Sequence, residues 1–331
     1  MLRIAVIALA AVAAATPATA QATAQDWPAQ VWPTRPVTMV VTFAAGTAGD
    51  VVGRILSGPL GEALGQTVIV DNVPGGGGIT GSNRIAKAAP DGYQFLVGTV
   101  GTHAIAPTLY KNPPYNAVAD FAPVGLLIEQ PIVLLTRKNL LADNLQEFAS
   151  YTRAHQKTMQ YGSGGTGTAN HLACARLNMA LGVNVVHVPY RSTSAMQDLL
   201  TGRIDYTCNF LSTSMALIES KEITAIGILT KTRSPIAPSI VPLHEQGLTD
   251  FDAATWSGFF LPKDTPEAIV QKLNSAASAV VDTPTVQARL REIGATVVAP
   301  ERRSPAYLRA FVESEIKKWA EPIKAANLTV N

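Results

Sequence analysis

The sequence predicts an α/β protein that is built as a hinged clamshell of two domains. Strands and helices alternate over residues 37–99 and again over 159–229, an order typical of parallel strands joined by helical crossovers. In each stretch a glycine-rich loop separates the first strand from the first helix. Two extended apolar runs, 124–137 and 256–261, join the stretches. The predicted domains are residues 33–128 with 252–331 for domain 1, and residues 129–251 for domain 2.

The elements of the first stretch follow from β-branched runs that each precede a helical pattern. The predicted strands are 37–42, 66–71 and 95–99, and the predicted helices are 50–64 and 80–88. The second stretch repeats this order. Its predicted strands are 159–162, 185–188, 204–208 and 224–229, and its predicted helices are 168–181, 193–201 and 212–219. The tail predicts helices at 266–281, 284–293 and about 304–326, which we expect to return to domain 1.

The amino terminus has the pattern of a secretory signal peptide. One arginine precedes an apolar run at residues 4–15, and small residues follow at Ala18-Thr19-Ala20. The run is too short to span a membrane, so we assign residues 1–20 to a cleaved signal peptide and expect an exported protein that is not membrane-embedded.

The formal net charge is +2, without long basic runs, which does not favour nucleic acid as a partner. The two cysteines, Cys174 and Cys208, either form a disulfide or are buried free thiols, and the exported setting permits both. No cysteine or histidine pattern indicates a metal site, and we expect no cofactor. We expect a monomer.

The loop VTFAAGTAGD, residues 41–50, joins the first strand to the first helix. Helix N-termini bind anions because they carry unpaired N–H groups and a partial positive charge. The loop lacks both the lysine of a phosphate loop and the G-x-G-x-x-G pattern of dinucleotide sites. Asp50 is interpreted as a helix cap or a first-turn acid. The N–H groups and the Thr47 hydroxyl suit a small carboxylate.

The loop SGGTGT, residues 163–168, has the corresponding position in the second stretch, with no charge before His171. In open α/β sheets, ligands lie beyond the carboxyl ends of strands. Two such loops facing each other across a cleft would hold both ends of a dianion. A third element, GTVGTH at residues 98–103, also follows a strand.

Ser163 does not lie in a G-x-S-x-G motif, because Tyr161 occupies the first position. His103 and His171 either line the cleft or are structural, and His187 is interpreted as a buried, hydrogen-bonded residue. An exported hydrolase that uses Ser163 and His171 is the alternative from another class.

The chain resembles the Bug-type periplasmic receptors of tripartite tricarboxylate transporters over nearly all of its length after the signal peptide. The motifs that carry the resemblance are WPTRP at 32–36, VTFAAGTAGD at 41–50, DNVPGGGG at 71–78, AAPDGY at 88–93, DFAPV at 120–124, YGSGGTGTANHLA at 161–173 and HVPY at 187–190. The resemblance implies a type II periplasmic-binding-protein fold, a Venus-flytrap clamshell with two crossover segments. It also implies a periplasmic location.

The resemblance further implies small-carboxylate binding through backbone amides, hydroxyls and bridging waters, with little ion pairing. The ligand would then pass to integral-membrane transporter subunits. The matching positions are Phe43, Ala44, Gly46, Thr47, Asp50, Thr99, Thr102, His103, Ser163, Gly164, Gly165, Thr166, His171, Tyr190, Asn209 and Phe210.

Two positions depart from the family pattern. The family loop usually has two prolines and paired glycines where this chain has Ala44-Ala45 and Gly46-Thr47. Where the family commonly has Asp-Asn, this chain has Asn209-Phe210, which removes a carboxylate and adds a ring that stacks on flat ligands.

We therefore expect a binding protein, and not an enzyme, that captures a carboxylate by domain closure. Aromatic carboxylates and di- or tricarboxylates both stay open, and Phe210 favours an aromatic one. A ligand sensor for a membrane sensor kinase is the alternative within the same class.

Overall fold

The computed structural model describes residues 32–190, 194–249, 251–325 and 328–330. The predicted signal peptide, residues 1–20, lies outside these residues. Within the described chain, no helix is both long enough and apolar enough to cross a membrane.

Strands and helices alternate along the described chain. The strands are β1 (Val37–Val41), β2 (Val68–Asn72), β3 (Gln94–Thr99), β4 (Phe121–Gln130), β5 (Ile132–Arg137), β6 (Gln160–Ser163), β7 (Val186–Pro189), β8 (Tyr206–Phe210), β9 (Ile223–Ile228), β10 (Thr255–Pro262) and β11 (Thr296–Val297). The α-helices are α1 (Ala48–Leu64), α2 (Ile79–Ala86), α3 (Ala106–Leu109), α4 (Leu145–His155), α5 (Ala169–Leu181), α6 (Ser194–Leu200), α7 (Leu211–Glu219), α8 (Glu267–Asp282), α9 (Pro284–Glu292) and α10 (Pro305–Ala325). Short 3₁₀ turns lie at Gly76–Gly78 and Pro300–Arg302, and a π-helical turn lies at Gly101–Ile105.

The strands form two mixed sheets. The first has the order β11-β4-β10-β3-β1-β2, and the second has the order β7-β6-β8-β5-β9. Each sheet contains the predicted parallel unit, since β1 is parallel to β2 and β3, and β6 is parallel to β7 and β8. The two extended runs are more than connections, because β10 pairs antiparallel with β3 and β4, and β5 pairs antiparallel with β8 and β9.

The chain passes between the two sheets twice. The first passage is at Pro131, which separates β4 in the first sheet from β5 in the second. The return lies between β9 and β10. The predicted domain boundaries at residues 128/129 and 251/252 lie near these two passages, and the division into two domains stays a prediction. The C-terminal helices α8 and α10 pack against β4 of the first sheet.

Two local features differ from the sequence-based expectation. The strand predicted at 204–208 extends to Phe210, so Asn209 and Phe210 are its last two residues. Helix α4 was not predicted. It is capped by Asn144, whose side chain accepts a hydrogen bond from the Glu147 N–H at 3.0 Å.

The cysteines are joined by a disulfide between Cys174 of α5 and Cys208 of β8, with Cα atoms 5.5 Å apart. The alternative of two free thiols is therefore not what the structure contains. This bond fixes a helix that begins at the second glycine-rich loop to the strand that ends at Asn209 and Phe210.

Candidate ligand-binding site

The predicted site residues lie at the carboxyl ends of neighbouring strands. In the first sheet, β1 and β3 are adjacent and lead into the loops at 42–47 and 100–105. In the second sheet, β6 and β8 are adjacent and lead into the loop at 164–168 and into α7. This is the edge at which open α/β sheets bind ligands.

Asp50 organises the first loop from within. Its carboxylate accepts the Gly46 N–H at 2.8 Å, the Asn72 Nδ2–H at 2.9 Å, and the Arg54 Nε–H at 3.0 Å on both oxygens. Asn72 Nδ2 also donates to the Phe43 carbonyl at 3.0 Å. The loop is therefore held near both of its ends by a polar cluster of the buried Asp50, the half-buried Asn72 and the exposed Arg54.

The structure decides between the two interpretations of Asp50. Thr47 is the helix N-cap, without a side-chain capping bond, and Asp50 is the first-turn acid. Burial opposes ionisation of Asp50, but the hydrogen bonds from Arg54, Gly46 and Asn72 outweigh it and lower its pKa. The side chain is buried and its carboxylate is occupied by protein donors, so Asp50 positions the loop, and its direct contact with a ligand stays a prediction.

The donors of the first loop divide into engaged and available groups. The Gly46 N–H is bound to Asp50, and both the N–H and the hydroxyl of Thr47 are bound to the Ala44 carbonyl. The N–H groups of Ala48, Gly49 and Asp50, at the start of the 17-residue helix α1, have no protein partner among the described residues. The N–H groups of this loop that are left without a described partner thus lie at the helix terminus, where anions are favoured, and not at Gly46.

The third element is mostly buried. Thr102 and His103 lie in the π-helical turn and have no exposed surface. The His103 ring stacks on Phe260 with centroids 3.8 Å apart, and its Nδ1 lies 2.9 Å from the Thr102 hydroxyl. Burial lowers the pKa of His103 to about 3, so the ring is neutral at pH 7. Both side chains are thus packed into the protein, and the ligand contacts of Thr102 and His103 stay a prediction.

Thr102 instead supports Thr99, which is half-buried. The Thr102 Oγ1 accepts the Thr99 N–H at 2.9 Å and lies 3.2 Å from the Thr99 carbonyl. The glycine turn at 76–78 packs beside this pair. A side chain at Gly78, whose φ is +101°, would come within 2.7 Å of Thr102 Cγ2. Glycine is required there because the turn approaches the ends of β1 and β3 closely.

The second loop is folded around the Ser163 hydroxyl. This hydroxyl accepts the Gly165 N–H at 3.1 Å and lies 2.7 Å from His187 Nε2. His171 does not pair with Ser163, because its Nδ1 accepts the Gly167 N–H at 3.1 Å. Ser163 and His171 are both buried, and their hydrogen bonds position the loop. Their predicted ligand contacts, and the alternative hydrolase that would use them, stay predictions.

His171 and His187 form a stacked, neutral pair with ring centroids 3.8 Å apart. Burial, with the neighbouring His187 as a second cause, lowers the pKa of His171 to about 3, and burial lowers the pKa of His187 to about 4. His187 is hydrogen-bonded as predicted, although it is half-buried. At neutral pH, the described residues of the second loop therefore carry no formal charge.

The donors of the second loop divide in the same way. The N–H groups of Gly165, Gly167 and Thr168 are engaged within the loop. Those of Gly164 and Thr166, both exposed, have no protein partner among the described residues. The N–H groups of Ala169 and Asn170 at the start of α5 are also without a described partner, since the Thr168 cap binds the His171 N–H.

The end of β8 adds a neutral amide pair. Asn170 Nδ2 donates to the Cys208 carbonyl and to Asn209 Oδ1, both at 2.9 Å. Tyr190 lies beside the second loop, where its N–H donates to the Ser163 carbonyl at 3.0 Å and its hydroxyl donates to Asp198 at 2.7 Å.

The sixteen predicted site residues therefore fall into three classes of exposure. The exposed ones are Ala44, Gly46, Gly164 and Thr166. The half-buried ones are Phe43, Thr47, Thr99, Gly165, Tyr190, Asn209 and Phe210. The buried ones are Asp50, Thr102, His103, Ser163 and His171.

Sequence reasoning missed Arg54, Asn72 and Asn170, and it gave His187 no part in the site. Asn72 had a signal, because it lies in the glycine motif that follows β2. The described residues contain no group of three or more His, Cys, Asp or Glu that could hold a metal ion.

The two halves of the molecule, which are the parts built around the first and the second sheet, contact each other at two places. Gly167 of the second loop packs against Leu109 of α3, close enough that a side chain at Gly167 would overlap the leucine. At the second place, a side chain at Gly294 would come within 2.8 Å of Ile236 Cδ1.

Comparison with known proteins identifies relatives over most of the chain. The model of the tripartite tricarboxylate transporter family receptor matches residues 52–328. The solved structure of the periplasmic binding protein BugD is 36% identical, with a TM-score of 0.81, covering 90% of this chain and 99% of that one. MatC from Rhodopseudomonas palustris, solved with bound malate, is 37% identical, with a TM-score of 0.81, covering 88% of this chain and 100% of that one. The R. palustris protein Rpa4515, solved with adipate, is 32% identical, with a TM-score of 0.82, covering 90% of this chain and 99% of that one.

Proposed function

This chain belongs to the family of tripartite tricarboxylate transporter receptors, and from that premise we propose that it captures a small carboxylate between its two halves. The Bug-type resemblance and the periplasmic-binding-protein fold predicted from the sequence are confirmed. Among the similar solved structures, BugD is a periplasmic binding protein, and two others hold the carboxylates malate and adipate.

The observation that carries the proposal is the set of available N–H groups. In both loops, some backbone N–H groups form hydrogen bonds that hold the loop in shape. At the helix N-terminus that follows each loop, other backbone N–H groups have no partner among the described residues. A carboxylate is acceptor-only and carries the charge that a helix N-terminus favours. One carboxylate group at α1 and a second acceptor group at α5 would be bound at the two sides of the cleft.

The proposed function is binding without catalysis, so the protein would not be an enzyme. The only serine that the sequence nominated for catalysis is buried, and its hydroxyl is engaged with Gly165 and His187. The closed receptor would pass its ligand to integral-membrane transporter subunits. The protein would act as a periplasmic monomer after removal of residues 1–20.

The test is a thermal-shift screen of the purified protein against aromatic carboxylates and C4–C6 di- and tricarboxylates. A ligand that binds the native state raises the melting temperature. We expect at least one carboxylate to do so at submillimolar concentration. An unchanged melting temperature with every carboxylate at millimolar concentration would contradict the proposal.

Delivery is tested separately in cells. Deletion of the gene should abolish uptake of the identified ligand, and reintroduction of the wild-type gene should restore it. Normal uptake in the deletion strain, together with a lost transcriptional response to the ligand, would favour the sensor alternative.

A further inference from the structure

The charges around the cleft limit which carboxylates fit it. Six segments lie at the carboxyl ends of the cleft strands, namely residues 42–51, 71–80, 99–110, 163–171, 187–190 and 209–215. Their sequences contain only two acidic residues, Asp50 and Asp71. A ligand with an ammonium group would need one of these carboxylates, or a set of free acceptors, to replace its water.

Both acidic residues are already neutralised by protein donors. Asp50 accepts from Arg54, Gly46 and Asn72, and Asp71 accepts from Arg84 Nη1 at 2.6 Å. Three carboxylates outside these segments are also paired. Asp198 binds the Tyr190 hydroxyl and Arg203, Glu129 binds Arg302 at 2.6 Å, and Asp252 lies 3.5 Å from Lys318.

Three of the loop carbonyls are engaged within the protein. The Phe43 carbonyl accepts from Asn72, the Ala44 carbonyl accepts from Thr47, and the Gly165 carbonyl accepts from Thr168. An ammonium group would have to share these three acceptors with their protein donors.

The helix dipoles add a repulsive term. Helices α1, α5 and α7 begin directly after the cleft loops or strand, at Ala48, Ala169 and Leu211. Each N-terminus carries a partial positive charge, which attracts a carboxylate and repels an ammonium group.

From these observations we infer that the cleft selects carboxylates that carry no ammonium group, and that the neutral Asn209 sets this selection. The inference rests on the proposed function. Asn209 is half-buried at the end of β8, and its Oδ1 accepts from Asn170 at 2.9 Å. An aspartate at this position keeps that acceptor and adds one negative charge beside the cleft.

The selection is tested with ligand pairs that differ by a single amino group. Succinate with aspartate, glutarate with glutamate, and 3-phenylpropionate with phenylalanine are titrated calorimetrically into the purified wild-type protein at pH 7.5. In every pair that binds, we expect the amino-free member to bind at least about 30-fold more tightly. Equal or tighter binding of the aminated member would overturn the inference while leaving carboxylate capture intact.

A failure of the proposed function gives a different result. If neither these ligands nor the wider carboxylate panel bind, the proposed function itself fails, and the inference fails with it. If only one member of a pair binds, binding of the amino-free member supports the inference, and binding of the aminated member overturns it.

The role of Asn209 is tested with Asn209→Asp. We expect the variant to weaken the preferred amino-free ligand at least about tenfold and to strengthen its aminated partner, so that the ratio of their affinities falls at least about 30-fold. Asn184→Asp is the matched control, because it makes the same change at an exposed site beyond α5. An unchanged ratio in Asn209→Asp, with the native fold retained in circular dichroism, would overturn the assignment of Asn209.

Discussion

Asp50 is a buried carboxylate at the edge of a site that we propose to bind carboxylates. Its charge does not oppose such a ligand, because Arg54 lies against it with Nε 3.0 Å from both oxygens. Its function is geometric, since it fixes the Gly46 N–H and orients the turn that leads into α1. The side chains that matter for a ligand therefore include several that do not touch it.

Asn72→Ala should loosen the first loop. The change removes the bonds from Nδ2 to the Phe43 carbonyl and to Asp50, at 3.0 and 2.9 Å. We expect calorimetry to show about tenfold weaker binding of the best carboxylate, and urea unfolding to show a loss of about 1–2 kcal/mol.

The neighbouring pair Asp71 and Arg84 provides the control for that variant. This ion pair is on the same strand end, but both side chains are about 40% exposed, at 39% and 42%. Asp71→Asn should change stability by less than about 1 kcal/mol and leave affinity unchanged. Equal losses of affinity in the two variants would contradict the role assigned to Asn72.

Three neutral histidines make the folded state sensitive to acid. Burial lowers the pKa of His103 and of His171 to about 3 and that of His187 to about 4, against about 6.5 in the unfolded chain. Below pH 6.5 the unfolded chain binds protons that the folded chain does not. Stability is therefore complete above that pH and falls as the pH decreases towards 4, by up to about 4 kcal/mol per pH unit for three groups.

Urea unfolding between pH 7.5 and 4.5 measures this dependence. His171→Gln should flatten the decline, because it removes one of the three groups that the unfolded chain protonates. A midpoint that stays constant from pH 7 to pH 5 would show that these rings are not buried as described.

These residue roles were the part that sequence could not supply. Ser163 could be recognised as a loop residue, but its partner is 24 positions away, and the choice of His187 over His171 depends on how β6 and β7 pair. His103 follows a strand like a cleft residue, yet the π-helical turn rotates it onto Phe260. Both outcomes depend on tertiary neighbours, which local spacing does not encode.

Helix α5 is the element that links the site to the core. It begins at the Thr168 cap of the second loop, and Cys174, in the second turn of the helix, joins it to β8. Further along, Arg176 donates to the Asp252 carbonyl in the return passage. The position of the second loop is thus tied to the strand that carries Asn209.

Removal of the disulfide should destabilise this element. The bond closes a sequence separation of 34 residues, which corresponds to about 3–4 kcal/mol in the chain-entropy account. We expect the Cys174→Ala, Cys208→Ala double variant to lose about 2–4 kcal/mol in urea unfolding. Dithiothreitol should lower the stability of the wild type by a similar amount and leave the double variant unchanged; loss in both would point to another cause.

Most elements could be predicted because their signals are local. The valine-rich run of β1 and the glycine that ends α1 place those elements to within two residues. Helix α4 also has a local signal that was overlooked, since Asn144 caps the Glu147 N–H while the Glu147 carboxylate accepts from the N–H of Asp143, the residue before the cap. The antiparallel entry of β10 between β3 and β4 has no local signal, because those residues are more than a hundred positions apart.

The whole molecule requires its two halves to approach closely at Gly167. This glycine has a φ of +81° and packs on the buried Leu109 of the opposite half. Gly167→Ala should hold the halves apart, weaken ligand binding at least about tenfold, and reduce the ligand-induced decrease in radius of gyration measured by small-angle X-ray scattering.

Gly182→Ala separates steric contact from backbone strain. Gly182 also has a positive φ, +65°, but no atom lies within 4 Å of an added Cβ. The Gly182→Ala variant should therefore lose stability without a change in ligand affinity. In the Gly167→Ala background, a second change, Leu109→Ala, should partly restore ligand affinity. Similar affinities for Gly167→Ala and Gly182→Ala would contradict a requirement for close approach.

The paired charges of the cleft also govern how a ligand arrives. Long-range steering of an anion needs uncompensated cations, and its contribution weakens as ions screen them over about 8–10 Å. Among the described residues beside the cleft, Arg54 and Arg84 are balanced by Asp50 and Asp71, and His103, His171 and His187 are neutral. Stopped-flow association rates should therefore change little between low and high ionic strength, and a steep decrease would contradict this. The protein would collect its ligand equally well from dilute and from saline surroundings.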